Sequence, residues 1–308
     1  MTRTASLKAF AKLNLGLRVL AKRPDGYHEL RTVFQTISLA DRLEIRLTPA
    51  KKTTVRVFGT PEIAENIVEK AARILLKKLS ISAQVELHLK KQIPTGAGLG
   101  GGSSDAAAVL LGLPILAGKR TTMALLMELG GQLGSDVPFF LRGGTALGLG
   151  RGEELYPLPD SPPSKALLIA PDVHSSTSDA YRDLSAGLTP ESLPVKLATF
   201  QQQTWAPSGA PLINDFEPVI FTRHPELGRI KKRLLRLGAT TAAMTGSGSS
   251  IFGVFSNSEQ LLKAREAFSD TKTFPITFLN GARYRSSWLR ALEPHVKGDQ
   301  WPPLSRYA

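Results

Sequence analysis

Between residues 94 and 105 the chain reads Pro-Thr-Gly-Ala-Gly-Leu-Gly-Gly-Gly-Ser-Ser-Asp, with five glycines inside seven positions. Ahead of it, Gln84 to Lys91 alternates apolar Val85, Leu87 and Leu89 with polar Glu86, His88 and Lys90. That is the period of a strand with one wet face. Behind it, Ala106 to Leu116 reads as a helix, with Ser103, Ser104 or Asp105 available to cap it. The glycines therefore fall between a strand end and a helix N-terminus. Glycine admits positive φ and lets a ligand approach bare N–H groups, and the helix dipole favours an anion there. A phosphate loop is the reading that uses all three properties; a flexible linker is the plainer alternative, and the tightly placed elements on both sides weigh against it.

Two familiar phosphate loops do not fit. Gly96, Gly98 and Gly101 satisfy the dinucleotide spacing G-x-G-x-x-G, but that fold begins with a strand buried on both faces, and this one alternates. No acidic residue ends a second strand at the expected distance of about 20 residues; the next acid after Asp105 is Glu128, inside a helical pattern. The nucleoside-triphosphatase loop needs Lys-Ser/Thr after its last glycine, which is missing here.

Charge and cysteine usage limit the remaining classes. Lys and Arg total 39 against 26 Asp and Glu, a formal charge of +13 in 308 residues. Such a surface attracts anions: nucleic acid, lipid headgroups or phosphorylated metabolites. The basic residues are spread along the chain and no nucleic-acid module is visible. No run approaches the ~18 apolar residues of a membrane span, and no signal-peptide block opens the chain. Zero cysteines exclude disulfides and thiolate metal sites, and the five His show no ligand spacing. The profile is cytoplasmic, with no membrane partner and no structural metal. At 42% apolar and 21% charged the chain is globular, and its length favours two domains.

Several segments carry candidate chemistry. In the first strand, Leu7 to Val19, apolar residues take odd positions while Lys8, Lys12, Asn14 and Arg18 take even ones, which puts Lys12 and Asn14 about 7 Å apart on one face. By itself that face is simply solvated. Pro24-Asp25-Gly26 is a turn by its chemistry, and Tyr27-His28 follows; a tyrosine ring beside a hydrogen-bonding neighbour suits a pyrimidine, though such a pair is also ordinary surface. Leu30 to Leu47 reads as two strands around Asp41. Thr60-Pro61 opens a helix, with Asn66 near its start. Thr121 to Leu133 is a helix ending at Gly134-Ser135-Asp136-Val137-Pro138. Pro138 restrains Val137, and Asp136 serves by spacing either as a helix cap or as a functional carboxylate. Gly143 to Leu158 forms a hairpin, and Asp160 to Ser164 shifts to linker composition. Beyond it lie a strand at Ala166 to Ala170, His174 to Tyr181, Asn214-Asp215-Phe216-Glu217-Pro218 and a basic helix from Glu226 to Leu237. A second glycine loop, Thr245-Gly246-Ser247-Gly248-Ser249-Ser250, leads into a strand and a Ser256-to-Glu259 capping box.

Taken in order, these segments resemble the GHMP small-molecule kinases. Pro94 to Asp105 is similar to their central phosphate loop, Ala11-Lys12-Leu13-Asn14-Leu15 to their N-terminal lysine motif, and Gly134 to Pro138 to their catalytic-aspartate motif. The resemblance implies Lys12 and Asp136 as catalytic residues. It implies ATP binding by Pro94, Thr95, Gly96, Ala97, Gly98, Leu99, Gly100, Gly101, Gly102, Ser103, Ser104 and Asn66. Gly26-Tyr27-His28 resembles the segment of members that take a cytidyl diphosphate-linked polyol. Substrate binding is then implied for Asn14, Tyr27, His28, Thr177, Tyr181, Gly246, Ser247 and Gly248. ATP is the implied co-substrate, with Mg²⁺ and no metal ligands identifiable in the chain; no nucleic acid is implied, and the assembly is a monomer or a homodimer. The implied fold is α+β in two domains: residues 1–162 resembling a ribosomal-protein-S5-like fold, residues 163–293 ferredoxin-like, and a polar tail, 294–308, expected to be disordered. Two other readings stay open: a sister kinase for mevalonate, homoserine or a sugar, and a non-catalytic anion- or RNA-binding protein.

Overall fold

A computed structural model of the chain describes residues 1–59, 66–173, 175–185, 193–205 and 212–296. Its first sheet is organised on one long strand, β2 (His28–Pro49). β1 (Arg3–Lys22) runs antiparallel along one edge of it from Arg3↔Leu47 to Lys22↔His28. Along the other edge Thr32 to Gln35 pair with β5 (Thr145–Leu149), and Arg42 to Pro49 pair with β4 (Ala83–Lys90). β3 (Thr54–Phe58) lies parallel beyond β4, and β6 (Glu154–Pro157) closes the hairpin with β5.

The expectation of two strands around Asp41 is thus corrected to one strand of 22 residues. A buried aspartate is tolerated mid-strand because its carboxylate is satisfied: it accepts the N–H groups of Gln92 at 2.5 Å and Ile93 at 2.8 Å and pairs with the Lys91 ammonium.

Helices α1 (Ile67–Lys78), α2 (Gly101–Leu116), α3 (Met123–Leu133) and α4 (Val137–Arg142) pack beside this sheet. α2 is apolar all round and buried from Ser104 to Leu116, as a central helix must be. Its N-cap is Gly100, at φ +69°, with no side-chain cap. Ser103, Ser104 and Asp105 lie inside the helix, which corrects the expectation that one of them caps it. Asn66 caps α1, its side chain accepting from Val68 N at 3.0 Å; the helix start expected at Thr60-Pro61 lies outside the described residues.

The second sheet is made of β7 (Lys165–Ala170), β8 (Thr241–Met244), β9 (Ile251–Phe255) and β10 (Lys272–Thr277). Between β7 and β8 come α5 (Thr177–Ser185), α6 (Leu193–Trp205), α7 (Glu217–Arg223) and α8 (Pro225–Arg236); α9 (Ser258–Ala267) joins β9 to β10. Strand order β10-β7-β9-β8, all antiparallel, is the fourth-first-third-second arrangement of a ferredoxin-like unit. The cap of α9 is Asn257, accepting from Glu259 N at 2.8 Å, one residue later than the expected box at Ser256.

After β10 the chain crosses back. α10 (Gly281–Leu292) belongs by packing to the first core, where Tyr284, Trp288 and Leu292 are buried among residues of β1, β2 and α2. Tyr284 Oη donates to the Phe140 carbonyl. The division at residue 293 therefore assigns to the second half a helix whose apolar face fills the first. A short helical turn, Glu293–His295, ends with His295 Nε2 2.8 Å from the Thr4 carbonyl; residues 297–308 of the expected tail lie outside the described residues.

Candidate active site

The two glycine loops, one from each half, touch. A Cβ on Gly98 would stand 2.2 Å from the Thr245 carbonyl oxygen, and one on Gly246 would stand 3.2 Å from Gly98 Cα. Thr245 Oγ1 donates to Gly98 O at 3.3 Å and accepts from Asn14 N at 3.0 Å. In the first loop, Gly96, Gly98 and Gly100 have positive φ, whereas Gly101 is already helical. Only glycine meets both demands at Gly98, a left-handed backbone and no room for a side chain.

Asn214 holds the second loop from behind. Its amide donates to Met244 O at 2.7 Å and Gly246 O at 2.8 Å, and its oxygen accepts from Phe216 N. Asp215 pairs with Arg18 of β1 at 2.7 Å, and Glu217 accepts from Met244 N at 2.9 Å. The Asn-Asp-Phe-Glu segment, whose role the sequence left open, is thus a bracket between the halves.

Lys12 and Asn14 are buried, at 4% and 3% exposure, so their face of β1 is not solvated. Irregularities in pairing between Phe10 and Lys12 and between Asn14 and Gly16 break the strict alternation and re-aim the side chains, as bulges do. Lys12 Nζ donates to Asn14 Oδ1 at 2.6 Å and lies 3.6 Å from Asp136 Oδ2. Asn14 Nδ2 donates to Thr32 Oγ1 at 2.7 Å, which in turn donates to Gly16 O. This chain of donors fixes the ammonium with its remaining hydrogens toward Asp136.

Two cavities adjoin here, and this pair lines the larger of them. The smaller, about 410 Å³, is lined by Asn66 and by residues 94 to 103 of the first glycine loop. The larger, about 810 Å³, is lined by Lys12, Asn14, Tyr27, His28, Asp136, Thr177, Tyr181, Gly246 and Ser247. Gly98, Gly100 and Thr177 belong to both walls. Ser104 and Gly248, expected in the site, line neither: Ser104 is buried within α2, and Gly248 backs onto Met244.

In the larger cavity His28 stacks on Tyr181 at 4.7 Å, and Tyr181 meets Phe216 edge-on at 4.8 Å. His28 Nε2 lies 2.7 Å from Ser185 Oγ. Burial, helped by Lys22, holds the His28 imidazole below its ordinary pKa and so neutral at pH 7. Tyr27 is 55% exposed at the rim, with the Arg151 guanidinium 4.6 Å over its ring. Burial and the Asp136 charge push the Tyr181 phenol up.

Comparison with known proteins shows the family. Residues 66–144 match the model for the GHMP kinases N terminal domain, and residues 197–272 match GHMP kinases C terminal. A 4-diphosphocytidyl-2-C-methyl-D-erythritol kinase of Solibacter usitatus is 51% identical over 311 residues, covering 99% of this chain and 98% of that protein. The enzyme of the same name from Pelotomaculum thermopropionicum is 45% identical over 82% of this chain and 89% of its own. The chain belongs to the 4-diphosphocytidyl-2-C-methyl-D-erythritol kinase family of GHMP kinases. A crystal structure of 4-(cytidine 5'-diphospho)-2C-methyl-D-erythritol kinase superposes with a TM-score of 0.75 at 38% identity, covering 91% of this chain and 100% of that one. A homoserine kinase from Cytophaga hutchinsonii, 20% identical with a TM-score of 0.67 over 90% of this chain and 95% of its own, shares the fold.

As a GHMP kinase the protein is a phosphotransferase with ATP as its co-substrate. Around this candidate site the structure adds residues that sequence reading missed. Thr32 orients Asn14, and Lys22, Arg151 and Arg182 give the larger cavity three cations besides Lys12. Arg151 stands in the hairpin turn Gly150-Arg151-Gly152, a basic residue between two positive-φ glycines, which is a readable signal. Lys22 and Arg182 offered none, because surface cations are common in a chain of this charge.

Proposed function

We propose that the protein transfers the γ-phosphoryl group of ATP to a hydroxyl of 4-diphosphocytidyl-2-C-methyl-D-erythritol, with the phosphates of ATP in the glycine-loop cavity and the acceptor in the larger one. The observation that carries this reading is the Lys12–Asp136 pair in the wall of the larger cavity, with Lys12 against Gly100, a residue the two cavities share. An acceptor hydroxyl there lies between a carboxylate and the incoming γ-phosphate.

In this reading Asp136 accepts the hydroxyl proton while the oxygen attacks phosphorus and ADP departs. Lys12 keeps the carboxylate aimed and offsets charge on the transferred group. The loop N–H groups hold the β-phosphate at the start of α2. Most of the rate enhancement is positioning and electrostatics, as in phosphoryl transfer generally. Among the described residues no group of three or more His, Asp or Glu side chains could hold a metal ion. In this reading Mg²⁺ accompanies ATP as part of the substrate, held chiefly by its phosphates and water.

The aromatic end of the larger cavity suits the cytosine: Tyr27 and Tyr181 offer ring faces, and neutral His28, its Nε2 engaged by Ser185, leaves Nδ1 as an acceptor. The cations Lys22, Arg151 and Arg182 suit a diphosphate. A cysteine-free, ATP-dependent chain fits the cytoplasm, and among the described residues no helix is long and apolar enough to cross a membrane. The proposed working units are residues 1–162 completed by α10, and residues 163–280, with the site in the cleft between them.

ATP turnover measured beside the cytidyl acceptor, mevalonate, homoserine and RNA tests the reading. Turnover with the cytidyl acceptor alone is expected. Preference for mevalonate or homoserine would reassign the acceptor, and no turnover with any would remove the enzyme.

A further inference from the structure

Beneath the phosphate loop lies a buried charge cluster that the proposed chemistry does not use. Lys91 follows β4 immediately, three residues before Pro94, and Asp105 stands inside α2, just past Ser104. Lys91 Nζ donates to Asp105 Oδ2 at 2.7 Å and also pairs with Asp41. All three are withdrawn from water, with side chains 14%, 1% and 0% exposed for Lys91, Asp105 and Asp41. Asp41 also accepts the N–H groups of Gln92 and Ile93, the last residues before the loop. The loop's start is thus tied to β2 and its end to the same ammonium.

The cluster adjoins the cavity. Lys91 and Asp105 both line its wall, and a Cβ on Gly101 would stand 3.2 Å from Lys91 Nζ. Lys91 is thus set against the first residue of α2, whose N–H groups face the loop. Among the described residues Asp105 Oδ1 has no hydrogen-bond partner. A buried, half-satisfied carboxylate is costly to retain for stability alone, which points to a positional task.

We propose that Lys91 and Asp105 form a clasp closing the two ends of the phosphate loop, with Asp41 as its anchor on β2, so that the loop N–H groups are held in the spacing a nucleotide phosphate requires. The proposal rests on the reading of the 410 Å³ cavity as the nucleotide site. Asp105 is a positioning residue: it acts through Lys91 and the loop backbone. A loop with several glycines otherwise samples many conformations, and fixing it in advance removes that entropy from the binding step.

Burial pushes the Asp105 carboxyl up to about 7, against the pull of Lys91 and with a further push from Asp41. A neutral side chain of the same shape is therefore close to a state the protein already populates at neutral pH. This makes two substitutions informative together. Asp105→Asn and Asp105→Ala remove the same charge and leave Lys91 balanced by Asp41. Only Asn keeps an oxygen that can accept from Lys91.

The experiment measures Tm, kcat and both KM values for the two variants and the wild type. For Asp105→Ala, the KM for ATP is expected to rise tenfold or more while that for the acceptor stays within about threefold; Asp105→Asn is expected to restore the KM for ATP to within about threefold of wild type. Equal KM values for ATP in folded Ala and Asn variants would overturn the clasp, as would an equal loss toward both substrates. If the Ala variant does not fold, the Asn variant decides alone: a tenfold or greater rise in its KM for ATP overturns the proposal. A wild-type protein that takes no ATP would remove the reading beneath it, a result visible before any variant is made.

Discussion

Lys12 Nζ lies 3.6 Å from Asp136 Oδ2, although Asp136 holds the N-cap position of α4 and makes no capping hydrogen bond there. The residue has the place of a cap and the partner of a reacting group. Its side chain is 30% exposed and faces the larger cavity, whereas Lys12 is buried. That contrast gives the two roles left open by spacing different expected outcomes, and it sets the first prediction.

Asp136→Asn should fold with a Tm near that of the wild type, since no cap bond is lost and Asn caps as well as Asp. It should bind both substrates and lose at least a hundredfold in kcat, within the ~10²–10⁴-fold range of a positioned base. Steady-state kinetics on the folded variant checks this. A kcat near that of the wild type would return Asp136 to a structural role.

Tyr27→Ala should weaken the acceptor and spare ATP. Losing a stacking ring costs about 1–3 kcal/mol, roughly five- to 150-fold in affinity. The ring is 55% exposed at the rim, so its loss leaves the core intact. The two KM values, measured separately, decide it; equal damage to both would contradict a role in acceptor recognition.

Gly98→Ala should push the two glycine loops apart. Its φ of +76° and the 2.2 Å approach to the Thr245 carbonyl leave no space for a methyl group. kcat/KM is expected to fall by about tenfold or more, because small displacements of positioned groups carry large penalties in rate. Gly131→Ala is the control: within α3, with nothing within 4 Å of its Cβ, it should match the wild type in activity and gain about 0.5–1 kcal/mol in stability.

Trp288→Ala should destabilise the first core by about 3–5 kcal/mol, although Trp288 follows the last strand of the second sheet. Its side chain is 3% exposed among residues of the first half. Urea denaturation gives the value. A loss below about 1 kcal/mol would mean that α10 is not part of that core in solution.

What the sequence determined by itself was local. Periodicity and turn chemistry act over a few residues, so β4, the phosphate loop, α2, the hairpin of β5 and β6, and the loop bearing Asp136 were all legible, and their order along the chain carried the family. Tertiary structure decided which polar groups leave water. Nothing near Lys12 in sequence says that its face of β1 is covered; the covering comes from residues far along the chain, such as Thr245 against Asn14. Asp41 looked like a strand break because its satisfying donors, Lys91, Gln92 and Ile93, lie some fifty residues away. Asp215 pairs with Arg18 across a separation of 197 residues, and α10 crosses back over the whole second half to reach its core. Burial of a charge is favourable only when its partner arrives with it, and the partner's arrival is a property of the fold.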